Sequence, residues 1–437
     1  MQTFRMKPFV KNPEFSVSVP GSKSMTNRAL MLAALSDGET ILHGVLFSDD
    51  SRVFMEGLEA LGCPLEICEE DAVVSVKGIG GRIPNKKASL YVGSAGTAAR
   101  FLTALVALSD GVYELTSSAQ MKARPMRPLL EALERFGARF TFKEEPYAFP
   151  FTVCGANREH ARQTERTLEI PLNIDASSQF LSALLLAGVL WKEGFTIRLT
   201  GTRDARSYVG ITMKMMREFG CEVRMPGMDA YEMPSGGRYG AREYQIEPDV
   251  SAACYFYAMA AVNSGRVQVK HVHPGSSQGD IRFLDVLKQM GCTWSDEPEG
   301  IVLCGPPGGK LSGGEFRMSD FSDQTMTLAA IAPFADKPVI IRGVSHIRNQ
   351  ESNRIRAIVT ELTRLGISCR ELEDGVWIEP GEVKGTTVRT YEDHRMAMSF
   401  AVTGTRAAGI IIDHPLCCRK TFENYFEVLT NLDLSLE

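Results

Sequence analysis

A stripe of apolar residues at helical spacing, closed by a glycine, recurs along the chain, and no other feature constrains its fold as strongly. Phe54, Leu58 and Leu61 fall at i, i+4 and i+7 before Gly62, and Leu129, Leu133 and Phe136 repeat the spacing before Gly137. Phe283, Leu287 and Met290 precede Gly291, and Ile358, Leu362 and Leu365 precede Gly366. Thr212, Met216 and Phe219 before Gly220 form a weaker copy; Phe422, Phe426 and Leu429 form another that lacks the glycine and runs into Thr430. The spacing places three side chains on one helical face. Glycine after the last turn takes the left-handed cap conformation without a Cβ clash.

A second element keeps step with the first. Small and polar residues open apolar helices at Ser22–Leu35, Ser94–Leu108, Ala176–Leu190, Ser251–Val262, Asp323–Ala332 and His394–Thr403. Each is followed by a short strand pattern: Thr40–Val45, Val112–Thr116, Phe195–Leu199, Arg266–Val269, Val339–Arg342 and Gly409–Asp413. The period of roughly 70–80 residues is longer than that of the common solenoid repeats. Each unit reads strand–helix–strand–helix–strand–strand, and helices that bury one face on a sheet make the class α/β. The last copy is incomplete. Phe15, Val17 and Val19 alternate as a strand before Pro20-Gly21, so residues 1–20 are expected to complete the sixth unit. Three units then form a first domain, residues 21–247, and three a second, residues 1–20 with 248–437. The chain is expected to cross between them twice, as a two-strand hinge beside a cleft.

A chain of 437 residues is long enough for two cores, and 44% hydrophobic with 23% charged residues describes a soluble globular protein. The longest apolar run, near Leu181–Trp191, is too short to span a bilayer. The opening residues lack the apolar core of a signal peptide. The ten cysteines include no CxxC pair, so reduced thiols in a cytoplasm are expected. A net charge of −5 argues against a general nucleic-acid binder, and any anion site must be local. The histidines lack metal-ligand spacing, and neither metal nor cofactor is expected.

Candidate anion sites fall at the starts of the small-residue helices. Pro20-Gly21-Ser22-Lys23-Ser24 with Arg28 combines free backbone N–H groups, a helix dipole and two cations. Gly93-Ser94-Ala95-Gly96-Thr97-Ala98-Ala99-Arg100 is small enough for a ligand to approach the backbone. Ser177, Ser178 and Gln179 offer hydroxyls and an amide. The plain alternatives are capped helices, close helix packing and ordinary N-caps. Asp323, the Glu351–Arg354 pair, Asp393-His394-Arg395, Arg124 and Lys420 carry charge; each alone reads as a solvated face or a surface ion pair. Their recurrence at equivalent edges of a repeated unit is what sets them apart.

Together the segments resemble the signatures of the 5-enolpyruvylshikimate-3-phosphate synthase family. These are PGSKSxxNRAL, xAGTAxR, ASSQF, DxxMT, an ESxR-type helix, DHRMAM and a Lys-Thr-Phe near the end, in order over nearly the whole chain. The resemblance implies two domains of three repeated units, the inside-out α/β barrel of the enolpyruvyl transferases, and transfer of the carboxyvinyl group of phosphoenolpyruvate to the 5-hydroxyl of 3-phosphoshikimate. By motif position, Ser24 and Arg28 would hold the shikimate carboxylate, and Ser177 and Ser178 its phosphate. Lys23, Gln179, Tyr208, Asp323 and Gln350 would complete that set. Lys23, Gly96, Arg124, Gln179, Arg354, Arg395 and Lys420 would gather phosphoenolpyruvate. Asp323 is the matched group for the hydroxyl proton; Glu351 and Lys23 are the two candidates at carbon. No nucleic acid or membrane is implied, and a monomer is expected.

Several positions depart from the family pattern. Gln350 stands where Lys is usual, His346 where Asn is common, Asn353 where Asp is common, and Ala205 where a phosphate-binding Ser is often found. Two alternatives follow. A sister enzyme acting on UDP-N-acetylglucosamine would have a GAKN-like start and a loop cysteine, whereas the start here is GSKS and no Cys lies between Cys68 and Cys154. A catalytically dead anion-binding paralogue is favoured by Gln350 and Ala205 and opposed by Lys23, Asp323, Glu351 and Arg395.

Overall fold

Gly62, Gly137, Gly220, Gly291 and Gly366 all adopt left-handed backbone, with φ between +83° and +101°, so the glycine-closed helices end where the sequence places their caps. The structure, a computed structural model, describes residues 3–9, 12–156, 168–201 and 206–435. By contact density it divides into two compact units, residues 21–247 and residues 1–20 with 248–437, each with its own apolar core.

In residues 21–247 the main helices are α1 (Lys23–Leu35), α2 (Asp49–Ala60), α3 (Gly96–Ala107), α4 (Arg127–Arg135), α5 (Gln179–Ala187) and α6 (Arg206–Glu218). α1, α3 and α5 are buried on almost every side and touch one another pairwise. Their alanines, glycines and small polar residues permit that close approach. α2 and α4 are two-faced: Phe54, Leu58, Leu129 and Leu133 are buried, while Glu56, Glu59, Arg127 and Glu131 are exposed. Phe54 meets Phe101 of α3 edge to face at 6.4 Å, worth about 0.5–1.5 kcal/mol beyond the area it buries.

The other unit repeats the scheme with α7 (Val250–Asn263), α8 (Phe283–Gln289), α9 (Thr325–Ile331), α10 (Arg354–Arg364), α11 (His394–Gly404) and α12 (Tyr425–Ser435). Here α7, α9 and α11 are the buried helices in mutual contact. Among the described residues no helix is long and apolar enough to cross a membrane.

Each helix pair carries a small mixed sheet of one design. In the second repeat Lys87–Tyr91 lies parallel to Val112–Thr116, which is antiparallel to Phe151–Cys154, itself antiparallel to Arg139–Phe142. The buried helix is the crossover that the parallel pair requires. The fifth repeat does the same with Gly314–Arg317, Val339–Arg342, Gly375–Ile378 and Cys369–Leu372. In the third, Leu168–Asn173, Phe195–Thr200 and Ala230–Met233 form the sheet, and the remaining strand shrinks to an Arg224–Glu232 bridge.

The first and fourth repeats begin at a helix and lack a leading strand of their own. Glu243–Gln245, from the end of the 21–247 stretch, runs parallel to Glu39–His43 and fills the first vacancy. Glu14–Val17 runs parallel to Arg266–Val269 and fills the fourth. The alternation at Phe15 and Val17 therefore serves the fourth sheet. It is Thr3–Arg5 that completes the sixth, antiparallel to Ile411–Asp413. A strand pattern names no partner, which is why the N-terminal segment read as one element when it serves two sheets.

Candidate active site

In residues 21–247 the polar groups gather at the starts of α1, α3 and α5. Lys23 opens α1, and its ammonium lies 3.0 Å from Oδ2 of Asp50. Asp50 is held in the first turn of α2 by a reciprocal capping box between Ser48 and Ser51. One turn beyond Lys23, Arg28 is buried. Its Nε donates to Thr212 Oγ1 at 2.8 Å, its Nη1 to the Ser24 carbonyl at 2.8 Å, and its Nη2 to Ser182 Oγ at 3.3 Å and the Tyr208 carbonyl at 3.4 Å. Burial lowers its pKa to about 10, so it stays charged at neutral pH. Arg28 thus ties α1 to α5 and α6, and Ser24 and Tyr208 meet it through their main chains.

Gly96 begins α3 beneath two guanidinium groups. A methyl there would stand 2.6 Å and 2.8 Å from the Arg124 nitrogens and 2.7 Å from Arg100 Nη1. Arg100 donates to Gln179 Oε1 at 2.6 Å and to the carbonyls of Gly96 and Pro125. Gln179 Nε2 donates in turn to Thr97 Oγ1 at 3.3 Å, and its backbone N–H to Ser177 Oγ at 3.3 Å. Gly96, Arg124 and Gln179 are therefore brought together. Ser177 and Ser178 sit at the N-terminus of α5. Ala205 lies outside the described residues.

In the other unit Arg354, at the first position of α10, is 1% exposed. Its five N–H groups all go to protein acceptors. Nε and Nη2 clasp Asp393 at 2.8 and 3.2 Å, Nη2 also reaches Glu351 at 2.9 Å, and Nη1 reaches Asp323 at 3.2 Å and the side-chain Oε1 of Gln350. Burial opposes its charge, but Asp393, Glu351 and Asp323 hold its pKa above the ordinary value. An anion can bind Arg354 only by displacing one of these acceptors.

Asp323 bridges Arg354 and Arg395, with Oδ2 2.7 Å from Arg395 Nη2. Asp393 caps α11 by accepting from the Arg395 backbone N–H. Burial opposes the Arg395 charge too, while Asp323, Tyr255, Asp280 and Asp249 raise its pKa well above the ordinary value. Lys420 lies 3.4 Å from Glu351 Oε1. His346 Nε2 lies 2.8 Å from Ser322 Oγ, beside Asp323 in sequence. Asp323, Gln350, Glu351, Arg354, Asp393, Arg395 and Lys420, scattered over about a hundred positions, thus form one network in which three acids match three bases.

Three side chains that the sequence reading gives no substrate role pair with these candidates: Asp50 with Lys23, Arg100 with Gln179 and Asp393 with Arg354. Asp50 follows a helix cap, Arg100 ends the small-residue loop, and Asp393 precedes His394-Arg395. Only Asp393 lies beside a candidate cation in the sequence. Among the described residues no cluster of three or more His, Cys, Asp or Glu side chains could hold a metal ion.

Comparisons with known proteins point one way. The family model described as EPSP synthase (3-phosphoshikimate 1-carboxyvinyltransferase) matches residues 11–429. A 3-phosphoshikimate 1-carboxyvinyltransferase of Trichormus variabilis is 44% identical over 98% of each chain. One of Halalkalibacterium halodurans is 37% identical over 100% of this chain and 96% of its own. The solved structure of the EPSP synthase of Acinetobacter baumannii superimposes with a TM-score of 0.80 at 25% identity, covering 99% of this chain and 98% of that one. The chain belongs to the EPSP synthase (3-phosphoshikimate 1-carboxyvinyltransferase) family.

Proposed function

We propose that the protein transfers the carboxyvinyl group of phosphoenolpyruvate to the 5-hydroxyl of 3-phosphoshikimate, releasing phosphate. The observation that carries this reading is the match of the family over residues 11–429, together with Lys23, Arg124, Asp323, Glu351, Arg354, Arg395 and Lys420 at the family's motif positions, although Gln350 stands where Lys is usual. Lys23, Ser24, Arg28, Ser177, Ser178, Gln179, Tyr208, Asp323 and Gln350 are assigned to the acceptor. Lys23, Gly96, Arg124, Gln179, Arg354, Arg395 and Lys420 are assigned to the donor. Guanidinium groups suit that task because their planar forks pair with carboxylate and phosphate alike.

The reaction is an addition followed by an elimination. The acceptor hydroxyl bonds to C2 of phosphoenolpyruvate while C3 takes up a proton, and the hydroxyl proton passes to Asp323. The resulting adduct then loses a proton from its methyl group and phosphate from C2, leaving a new enol ether. Two acid–base groups are needed. Asp323 is fixed for its part by Arg354 and Arg395. Lys23 and Glu351 are the two groups proposed to exchange the proton at C3. The ten cysteines are free thiols, which suits the cytoplasm, and the protein is proposed to act there as a monomer.

Mixing the protein with both substrates should release phosphate, and either substrate alone should release none. Asp323→Asn should lower kcat by about 10²–10⁴-fold, the usual contribution of a positioned acid–base group. Phosphate release with UDP-N-acetylglucosamine but not with 3-phosphoshikimate would contradict the assignment.

A further inference from the structure

One buried acid near Arg395 has no part in the reaction above. Asp280 lies in the short turn Gly279–Arg282 and is 5% exposed. Its Oδ2 accepts a hydrogen bond from Ser251 Oγ, while its Oδ1 is buried without a hydrogen-bond partner among the described residues. Ser251 Oγ in turn accepts from Arg395 Nη2 at 3.5 Å, the same nitrogen that donates to Asp323 at 2.7 Å. Arg395 is therefore linked to two carboxylates, one directly and one through a hydroxyl.

The charged groups around Asp280 come from every element packed on its turn. The α7 end contributes Asp249 and Ser251, the turn Ser322–Gln324 contributes Asp323, and α11 contributes Arg395. α8 carries Asp285 and Lys288, both exposed. Arg282, on the same turn as Asp280, reaches Asp320 instead. Burial pushes the Asp280 carboxyl up to about 7, with Asp323 adding to the rise and Arg395 and Ser251 opposing it.

We propose that Asp280 is a positioning residue which takes up a proton when the anion of phosphoenolpyruvate binds Arg395, acting through Ser251. The inference rests on the proposed function, in which Arg395 receives that anion. Ionised, Asp280 draws the Ser251 hydroxyl, and through it Arg395, toward itself and adds to the negative charge that an incoming anion must meet. Protonated, it does neither. A bound anion raises the carboxyl's proton affinity further, so the liganded protein holds more protons than the free one. By linkage, affinity for the anion falls as pH rises above about 7 and is insensitive to pH well below it.

The test is titration calorimetry of the full chain with phosphoenolpyruvate at pH 8 in buffers of differing ionisation enthalpy, where the phosphate group is fully ionised. The parent should take up roughly half to one proton, and Asp280→Asn close to none. In steady-state kinetics the parent's KM for phosphoenolpyruvate should rise between pH 7 and 9 by at most about tenfold per unit. Asp280→Asn should lose that rise, with the difference lying in KM and not in kcat. Ser251→Ala, which removes a bond favouring the charged carboxyl, should move the rise to higher pH. Proton uptake of zero by the parent overturns the inference without any variant, and so does an unchanged pH profile in Asp280→Asn. A parent that neither binds nor consumes phosphoenolpyruvate overturns the proposed function, and the inference with it.

Discussion

Gly96 shows how one missing side chain shapes an anion site. A methyl at that position would press on the Arg100 and Arg124 guanidinium ends at 2.6–2.8 Å, and these flexible ends would have to retreat. Gly96→Ala should therefore raise KM for phosphoenolpyruvate about tenfold, or ~1.4 kcal/mol, while kcat and the melting temperature change little; steady-state kinetics and thermal melting check both. A second residue-scale outcome concerns stability. Asp280 titrates higher in the folded protein than in an unfolded chain, so the folded state holds the extra proton and stability falls as pH rises from about 4 to 7. Asp280→Asn should melt like the parent at pH 4 and above it at pH 8, by on the order of 2–4 kcal/mol at most. The helix-start positions of the candidate cations Lys23, Arg354 and Arg395 were legible in the sequence, because the pattern locates those helices. What they face was legible only for the Glu351–Arg354 pair. That all five Arg354 donors are taken depends also on Asp323 and Asp393, which come from distant segments, and spacing along a chain does not report distance in space.

At the scale of elements, the glycine-capped helices and their order could be read directly, since period and cap are local properties. Strand partnership could not, because pairing is set by tertiary packing. The division of the N-terminal segment between two sheets gives a graded test. Thr3–Arg5 pairs with Ile411–Asp413, Met6 is buried, and Phe4 packs on Phe426 at 4.7 Å. Removing residues 1–9 should lower the melting temperature through the loss of that edge, with Met6 alone contributing about 1.5–3 kcal/mol. Removing residues 1–19 also strips Glu14–Val17 from the fourth sheet and should prevent residues 248–437 from folding. Circular dichroism and thermal melting of the two truncations would show this. Equal melting of both would mean that Glu14–Val17 contributes nothing to the fold.

At the scale of the molecule, a chain with a net charge of −5 is proposed to handle two polyanions with a handful of cations placed at repeated helix starts. The central claim is carboxyvinyl transfer by addition and elimination. Its most direct test is the reaction of phosphoenolpyruvate with 3-phosphoshikimate in heavy water, followed by proton and phosphorus magnetic resonance. Addition delivers a solvent deuteron to C3, and elimination then removes one of three hydrogens from the methyl group. The account predicts free phosphate in step with a new enol ether whose vinyl group carries deuterium. Phosphate appearing with pyruvate and no enol ether, or an enol ether free of deuterium, would contradict it.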